Sequence, residues 1–399
     1  MEPQRERSIL IEDGKIANVS DGYSTAKQAD AVVDLTDSYC MPGLMDMHTH
    51  LTGETRKGGY IDKFRDTPAR RALKAAKHAR TTLMAGFTTV RDIGGPEGVD
   101  ISLRDAINAG DIVGPRMFVA GQSLAITGGH ADGTNGYRED IVGIPDATNG
   151  VVDGVDSAIR ATRINIKRGV DQIKITATGG VLSIAADGTK PAFRDEEIRA
   201  IVETAANRGL KVAAHAHGDE GMRQAVRLGV KSIEHGTYMS AETMQLMKEK
   251  GAYLVPTITA GKSVADSAKI ENYYVPVVTA KALEIGPVIQ GTFGKAFRAG
   301  VPIAFGTDAG VFVHGKNALE FGYMVEAGMP PMETIKTATV NAADLLGQYE
   351  MIGSLEVGKS ADIVAVPGNP LDDISVMTEV SFVMKEGVIY KHHGKPTGN

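Results

Sequence analysis

The chain has 399 residues, 42% of them hydrophobic, enough to bury a sizeable core in one large domain or two smaller ones. Its 43 Lys and Arg against 49 Asp and Glu give a net charge of −6 with no basic block, which argues against nucleic-acid and anionic-membrane partners. A single cysteine, Cys40, excludes an intrachain disulfide framework and cysteine-based zinc fingers.

Cys40 itself reads as a small buried apolar residue, so any metal would need His, carboxylate or lysine-derived ligands. The start, "MEPQRERSILIEDG", lacks a hydrophobic signal core, and no window approaches the roughly 18 apolar residues of a membrane span. A cytoplasmic location is expected, with a secreted or periplasmic one left open by a leader already removed. Residues 8–39 alternate apolar and polar side chains around Asp-Gly turns, as antiparallel hairpins do.

From about residue 41 short β-rich runs alternate with longer helical patterns. The expected strands are "GLMDMH" at 43–48, "FTTVRD" at 87–92, "RMFVAG" at 116–121 and "DQIKITAT" at 171–178, followed by "KVAAHAH" at 211–217, "KSIEHG" at 231–236, "AYLVPT" at 252–257 and "PIAFGTD" at 302–308. Between them lie amphipathic stretches such as "PARRALKAAKHARTTLMAG", "DEEIRAIVETAANRG" and "SAETMQLMKEKG", several closed by a C-capping Gly. Helical patterns at 317–328 and 332–347 follow, and residues 353–391 return to hairpin alternation. The predicted fold is α/β: a (β/α)8 TIM barrel over 41–346, with segments 1–40 and 347–399 meeting in a small composite β-sandwich.

In such a barrel functional groups collect at the C-terminal strand ends. Residues i and i+2 of a strand share a face, so His48 and His50 aim two imidazoles at one point. The other strand ends carry Lys174, His215, His235 and Asp308. Taken singly each has a plainer account: a satisfied structural histidine, or, for Asp308, a helix cap. Lys174 is harder to dismiss, because an ammonium inside a barrel is costly unless neutralised or paired. Jointly the six positions point to a metal site. His217 shares a face with His215; the latter, at the strand end, is taken as the ligand and His217 is left for substrate contact.

The stretches "PGLMDMHTHL", "DQIKITATGG", "VAAHAHG", "SIEHG" and "FGTDAG" resemble the metal motifs of the amidohydrolase superfamily, and the resemblance covers essentially the whole chain. "ITGGHADG" and "FGTDAGVFVHGKNALEFGYMVEAGM" are similar to its imidazolonepropionase-like and prolidase-like members, which include Xaa-Arg/Lys carboxypeptidases, Xaa-Pro dipeptidases and ochratoxin-type amidases. The resemblance implies two Zn2+ or other divalent ions, one held by His48, His50 and Asp308, the other by His215 and His235, with Lys174 bridging them as a carbamate. It implies Asp308 as general base and acid, His130 as an oxyanion stabiliser, and His130, His217, Tyr238 and His314 as substrate contacts. Lys174 argues against imidazolonepropionase itself, whose members are mononuclear and lack that lysine. His130 also reads as a loop histidine, Tyr238 as a core tyrosine and the Gly-Gly at 179–180 as a tight turn, and the expected specificity loops, "GTNGYRED" and 261–275, carry no obvious acidic cluster.

The expected activity is release of a C-terminal amino acid from an N-acyl amino acid or dipeptide. A cyclic-amide, lactone or phosphotriester hydrolase on the same centre is the alternative, and a non-catalytic scaffold would be expected to have lost a ligand or Asp308. A homo-oligomer acting on small molecules is expected.

Overall fold

The computed structural model of the protein describes residues 4–23, 31–185 and 188–398. Near the N-terminus β1 (Arg7–Glu12) and β2 (Lys15–Asp21) form an antiparallel hairpin turning at Asp13 and Gly14. After it, β3 (Tyr39–Pro42) leads through Gly43 directly into β4 (Leu44–Thr49).

β4 pairs in parallel with β5 (Phe87–Asp92), and β5 with β6 (Arg116–Val119). A second parallel sheet holds β7 (Ile173–Thr176), β8 (Val212–Ala216), β9 (Ser232–His235) and β10 (Tyr253–Val255) in chain order. Strands β4, β5, β7, β8 and β9 are buried along their whole length, as parallel strands covered by crossover helices must be. The intervening helices carry ordinary stops. Helix Pro68–Met84 begins with Pro68 at its first position and Thr67 accepting from the Arg70 N–H, and helix Ala241–Lys250 runs from a Ser240 cap to a left-handed Gly251.

The segment expected as the eighth strand differs. Residues 302–309 form isolated bridges at Ile303 and Ala309 rather than a ladder. They still bond on both sides: Leu254 N–H donates to Pro302 O (2.8 Å), Met47 N–H to Phe305 O (2.8 Å) and Asp308 N–H to His48 O (2.8 Å). The cause is local. Buried Asp46 accepts from the Thr307 N–H and hydroxyl at 3.1 and 2.6 Å, and Asp308 sits at a φ of 61°. Gly306 is required there, since a Cβ would lie 2.2 Å from Val255. Across the other gap Asp171 N–H donates to Val119 O and Leu124 N–H to Lys174 O, each at 2.8 Å.

The chain ends also meet. β3 pairs antiparallel with β11 (Ile363–Val366), and β12 (Phe382–Lys385), β13 (Val388–His392) and β14 (Lys395–Pro396) extend that sheet. Ile16 of the hairpin shares one apolar cluster with Ile363, Ala365, Phe382 and Met384.

Three expectations need correction. Cys40 is exposed, because β3 is an edge strand. The pattern at 332–347 breaks into helices Pro331–Thr337 and Val340–Leu346, where Ala338 O is taken by the Met45 N–H. Of residues 261–275, expected as a specificity loop, 261–268 lie in helix Ile258–Ala268. Among the described residues no helix is long and apolar enough to cross a membrane.

Phe305 is fully buried with its ring 4.4 Å from Phe321 and 5.5 Å from Phe87. Phe305→Ala should lower unfolding free energy by about 3–5 kcal/mol in a denaturant titration.

Candidate metal centre

The C-terminal ends of the parallel strands open into one cavity of about 180 Å³. His48, His50, Lys174, His215, His235 and Asp308 all line it, with His130 and His217 beside them. Parallel strands make this convergence automatic, since every strand delivers its last side chains to the same edge.

Each imidazole is held by one ring nitrogen. His48 Nδ1 lies 3.0 Å from the Glu234 carboxylate, and His50 Nδ1 3.1 Å from Gly94 O. His215 Nε2 meets Gly179 O at 2.9 Å, while His217 Nδ1 and His235 Nδ1 meet the hydroxyls of Thr237 and Thr257 at 2.7 Å. A carbonyl or carboxylate only accepts, so the bonded nitrogens of His48, His50 and His215 carry the proton and the opposite ones keep a lone pair. Burial holds His48, His215 and His235 well below the usual imidazole range and brings His50 to about 4 and His217 to about 3. Neutral imidazoles are the form a metal binds.

Asp308 completes the arrangement. Its Oδ1 is buried without a hydrogen-bond partner, 3.5 Å from His48 Nε2 and 3.4 Å from His50 Nε2. Those separations are long for a charge-assisted hydrogen bond. They match two ligands sharing an ion, because tetrahedral zinc with bonds of about 2.0–2.1 Å spaces its ligand atoms about 3.4 Å apart. A second group, His215, His217 and His235, also brings one ligand atom from each residue within 4.8 Å of the others. Burial pulls the Lys174 ammonium down and pushes the Asp308 carboxyl up, each shift being opposed by the other group's charge. The residues present therefore fit divalent metal.

Three non-glycine residues at this rim, His235, Thr257 and Asp308, adopt left-handed φ of 72°, 54° and 61°. Such positions cost on the order of 1–3 kcal/mol each and collect at functional sites.

The other expected residues divide. His130 stacks on His215 (centroids 4.3 Å, 23°) with its Nδ1 buried and unpartnered. Gly180 makes room for that ring, since a Cβ would lie 2.3 Å from it. Tyr238 does not line the cavity; it packs against the apolar cluster to which the lining residues Val181, Val264 and Ile285 belong, with its hydroxyl 3.5 Å from Glu284. His314 is not in the cavity lining either; it stacks on His78.

Sequence reasoning missed the support beneath the ligands. Arg91 donates to Glu234 (2.7 Å), Ser232 Oγ (3.0 Å) and Met47 O (2.6 Å), and Glu234 in turn orients His48. Both are charges inside apolar strands, "FTTVRD" and "SIEHG", and that was the available signal. Also missed was Lys281, buried in helix Pro276–Ile285, whose ammonium donates to Gly180 O, Ser183 O and Ala185 O at 2.6–2.7 Å and ties down the loop beside His130.

Residues 39–390 match the Amidohydrolase family, and the chain belongs to it. Ochratoxinase from Aspergillus niger is 34% identical over 418 residues, covering 98% of this chain and 84% of its own. A crystal structure of a Xaa-Pro dipeptidase with methionine bound in its active site gives a TM-score of 0.93 at 48% identity, covering 96% of this chain and 95% of that one. A prolidase complexed with N-methylphosphonate-L-proline gives 0.88 at 31% identity, over 97% and 95%. The protein is thus a hydrolase acting on amide bonds, in the prolidase-like part of its superfamily.

Glu234→Gln should weaken metal binding about 10–100-fold, read by competition with a chromophoric chelator. It should also destabilise the metal-free protein by about 3–5 kcal/mol, since Arg91 loses its buried counter-charge. Unchanged affinity would remove Glu234 from the support of His48.

Proposed function

We propose that this amidohydrolase releases a C-terminal amino acid from N-acyl amino acids or dipeptides, using two divalent ions, zinc or another metal. The observation that carries the reading is the buried, hydrogen-bond-free Asp308 Oδ1 at ion-sharing distance from two imidazoles. His48, His50 and Asp308 would hold one ion and His215 and His235 the other. Lys174, whose neutral amine can add to carbon dioxide with loss of a proton, would serve both as a carbamate. When bound, such ions polarise the scissile carbonyl and supply hydroxide at neutral pH.

The chain's own groups do the rest. Asp308 accepts the proton given up by water and returns it to the leaving nitrogen, so that amide and water become acid and amine. Its raised affinity for a proton, caused by burial, suits both halves of that task. His130 is kept neutral by burial, with an affinity brought down to about 3, and can only stabilise the developing oxyanion as a hydrogen-bond donor. His217 is reserved for substrate, and Tyr238 for the rim. The remaining wall, with Val264, Ile285, Ile289 and Val311, is apolar and suits an apolar substrate side chain. The methionine and the proline phosphonate held by the two related structures support that choice. The same reading takes the two parallel sheets and segment 302–309 as one (β/α)8 ring, and the terminal strands as one composite sandwich. Hydrogen bonds across both gaps and the shared apolar cluster support it.

A library of N-acyl amino acids and dipeptides, matched with C-terminal amides, a lactone and a phosphotriester, tests the substrate class. Free-carboxylate compounds should be hydrolysed preferentially, because buried donors left without an acceptor are costly. Cleavage confined to the lactone or phosphotriester would select the alternative. Asp308→Asn should lower kcat by about 10² or more, and Lys174→Ala should lose activity that Lys174→Glu partly retains. Exhaustive chelation should abolish turnover, and full activity after it would sink the mechanism.

A further inference from the structure

A second cluster of ligating groups lies beside the centre and is used by none of the steps above. Glu54, His78 and His314 come from three separate places: the loop after β4, helix Pro68–Met84, and the loop that follows Asp308. One ligand atom from each lies within 4.8 Å of the other two. The two rings stack with centroids 4.3 Å apart and an interplanar angle of 24°.

Their tautomers are set by backbone. His78 Nδ1 faces Leu51 O at 2.9 Å and His314 Nε2 faces Gly53 O at 2.9 Å. Carbonyl oxygens only accept, so both of these nitrogens carry the proton, leaving His78 Nε2 and His314 Nδ1 with lone pairs. His314 is 7% exposed, and its Nδ1 is buried with no hydrogen-bond partner. Leaving such an acceptor unsatisfied costs about 1–3 kcal/mol, a cost that a ligand on that lone pair would remove. Glu54 brings a carboxylate to the same place, where it accepts the backbone N–H of His314 at 3.1 Å while remaining exposed to solvent.

We propose that Glu54, His78 and His314 form an auxiliary divalent-cation site, separate from the catalytic centre, that clips the loop carrying His50 to the loop that follows Asp308. Two neutral imidazoles and one carboxylate are a borderline nitrogen–oxygen set of the kind zinc accepts, with a fourth position open to water on the exposed Glu54 side. The exposed Glu54 side chain has the rotamer freedom to draw in. Both histidines already donate their other nitrogen to a backbone carbonyl, which is how protein-held metal ligands are oriented. The site is structural: Leu51 and Gly53, whose carbonyls fix the two rings, flank the turn just beyond His50.

The test uses the full-length protein, stripped of metal and dialysed to equilibrium against Zn2+. Wild type should bind one equivalent more than His78→Ala and Glu54→Gln, and the zinc-dependent rise in Tm should be smaller in both variants. Turnover of the zinc-loaded variants should stay within about twofold of wild type, since neither residue faces the cavity. Anomalous diffraction at the zinc edge should show a peak between the three side chains in wild type, absent in His78→Ala. Equal stoichiometry and equal affinity in wild type and both variants, or no peak between these residues, overturns the proposal. The anomalous map separates this outcome from any failure of the main centre, because the peaks are assigned by position.

Discussion

Gathering an ammonium, a carboxyl and six imidazoles around one small cavity is the constraint on which the rest of this structure depends. Desolvation opposes every charge there, so the histidines are held neutral and Lys174 and Asp308 are driven toward neutrality. A full charge that persists in the interior needs a partner with satisfied geometry. Arg91 and Glu234 supply one such pair directly under His48, with Ser232 and Met47 O absorbing the remaining guanidinium donors. Neutral imidazoles above a paired floor leave a set of lone pairs aimed into one cavity, an arrangement that suits a cation.

The ligand strands were the most legible part of the chain because strand periodicity is local. His48, His50, His215 and His235 could be placed at strand ends from short β-rich runs set between helical patterns, and the parallel sheets then bring them together. Less legible was whatever depends on a partner distant in sequence. Glu234 looks like any polar neighbour of His235 until Arg91, 143 residues away, is seen to bond it. Cys40 is apolar by type but exposed by its edge position, and His314 follows Asp308 in sequence yet turns to His78. Segment 302–309 has strand composition, but Asp46 captures Thr307 and spoils the ladder. Tyr238 sits three residues after His235 but packs beyond the lining.

The Gly-Gly at 179–180 shows both readings of a glycine at once. Gly179 offers the carbonyl that orients His215, while Gly180 lacks the Cβ that would displace His130. Lys281 then holds the same loop through three carbonyl oxygens. A buried lysine with acceptors in place is a fastening, whereas Lys174, among imidazoles and a carboxyl, has its ammonium pulled down toward the neutral amine. Identical side chains thus take opposite roles according to what surrounds the nitrogen.

The pairing of β3 with β11 sets an order in time. Residues 39–42 can find their partner only after residues 363–366 have left the ribosome, so this sheet is completed only after every intervening strand has been made. Gly43 alone separates β3 from β4, and β4 carries His48. His48 is therefore made early and fixed late, and in the meantime its strand waits with an open edge. At about 5–20 residues per second that interval is tens of seconds, long enough for a nascent apolar strand to depend on chaperone shelter in the cell.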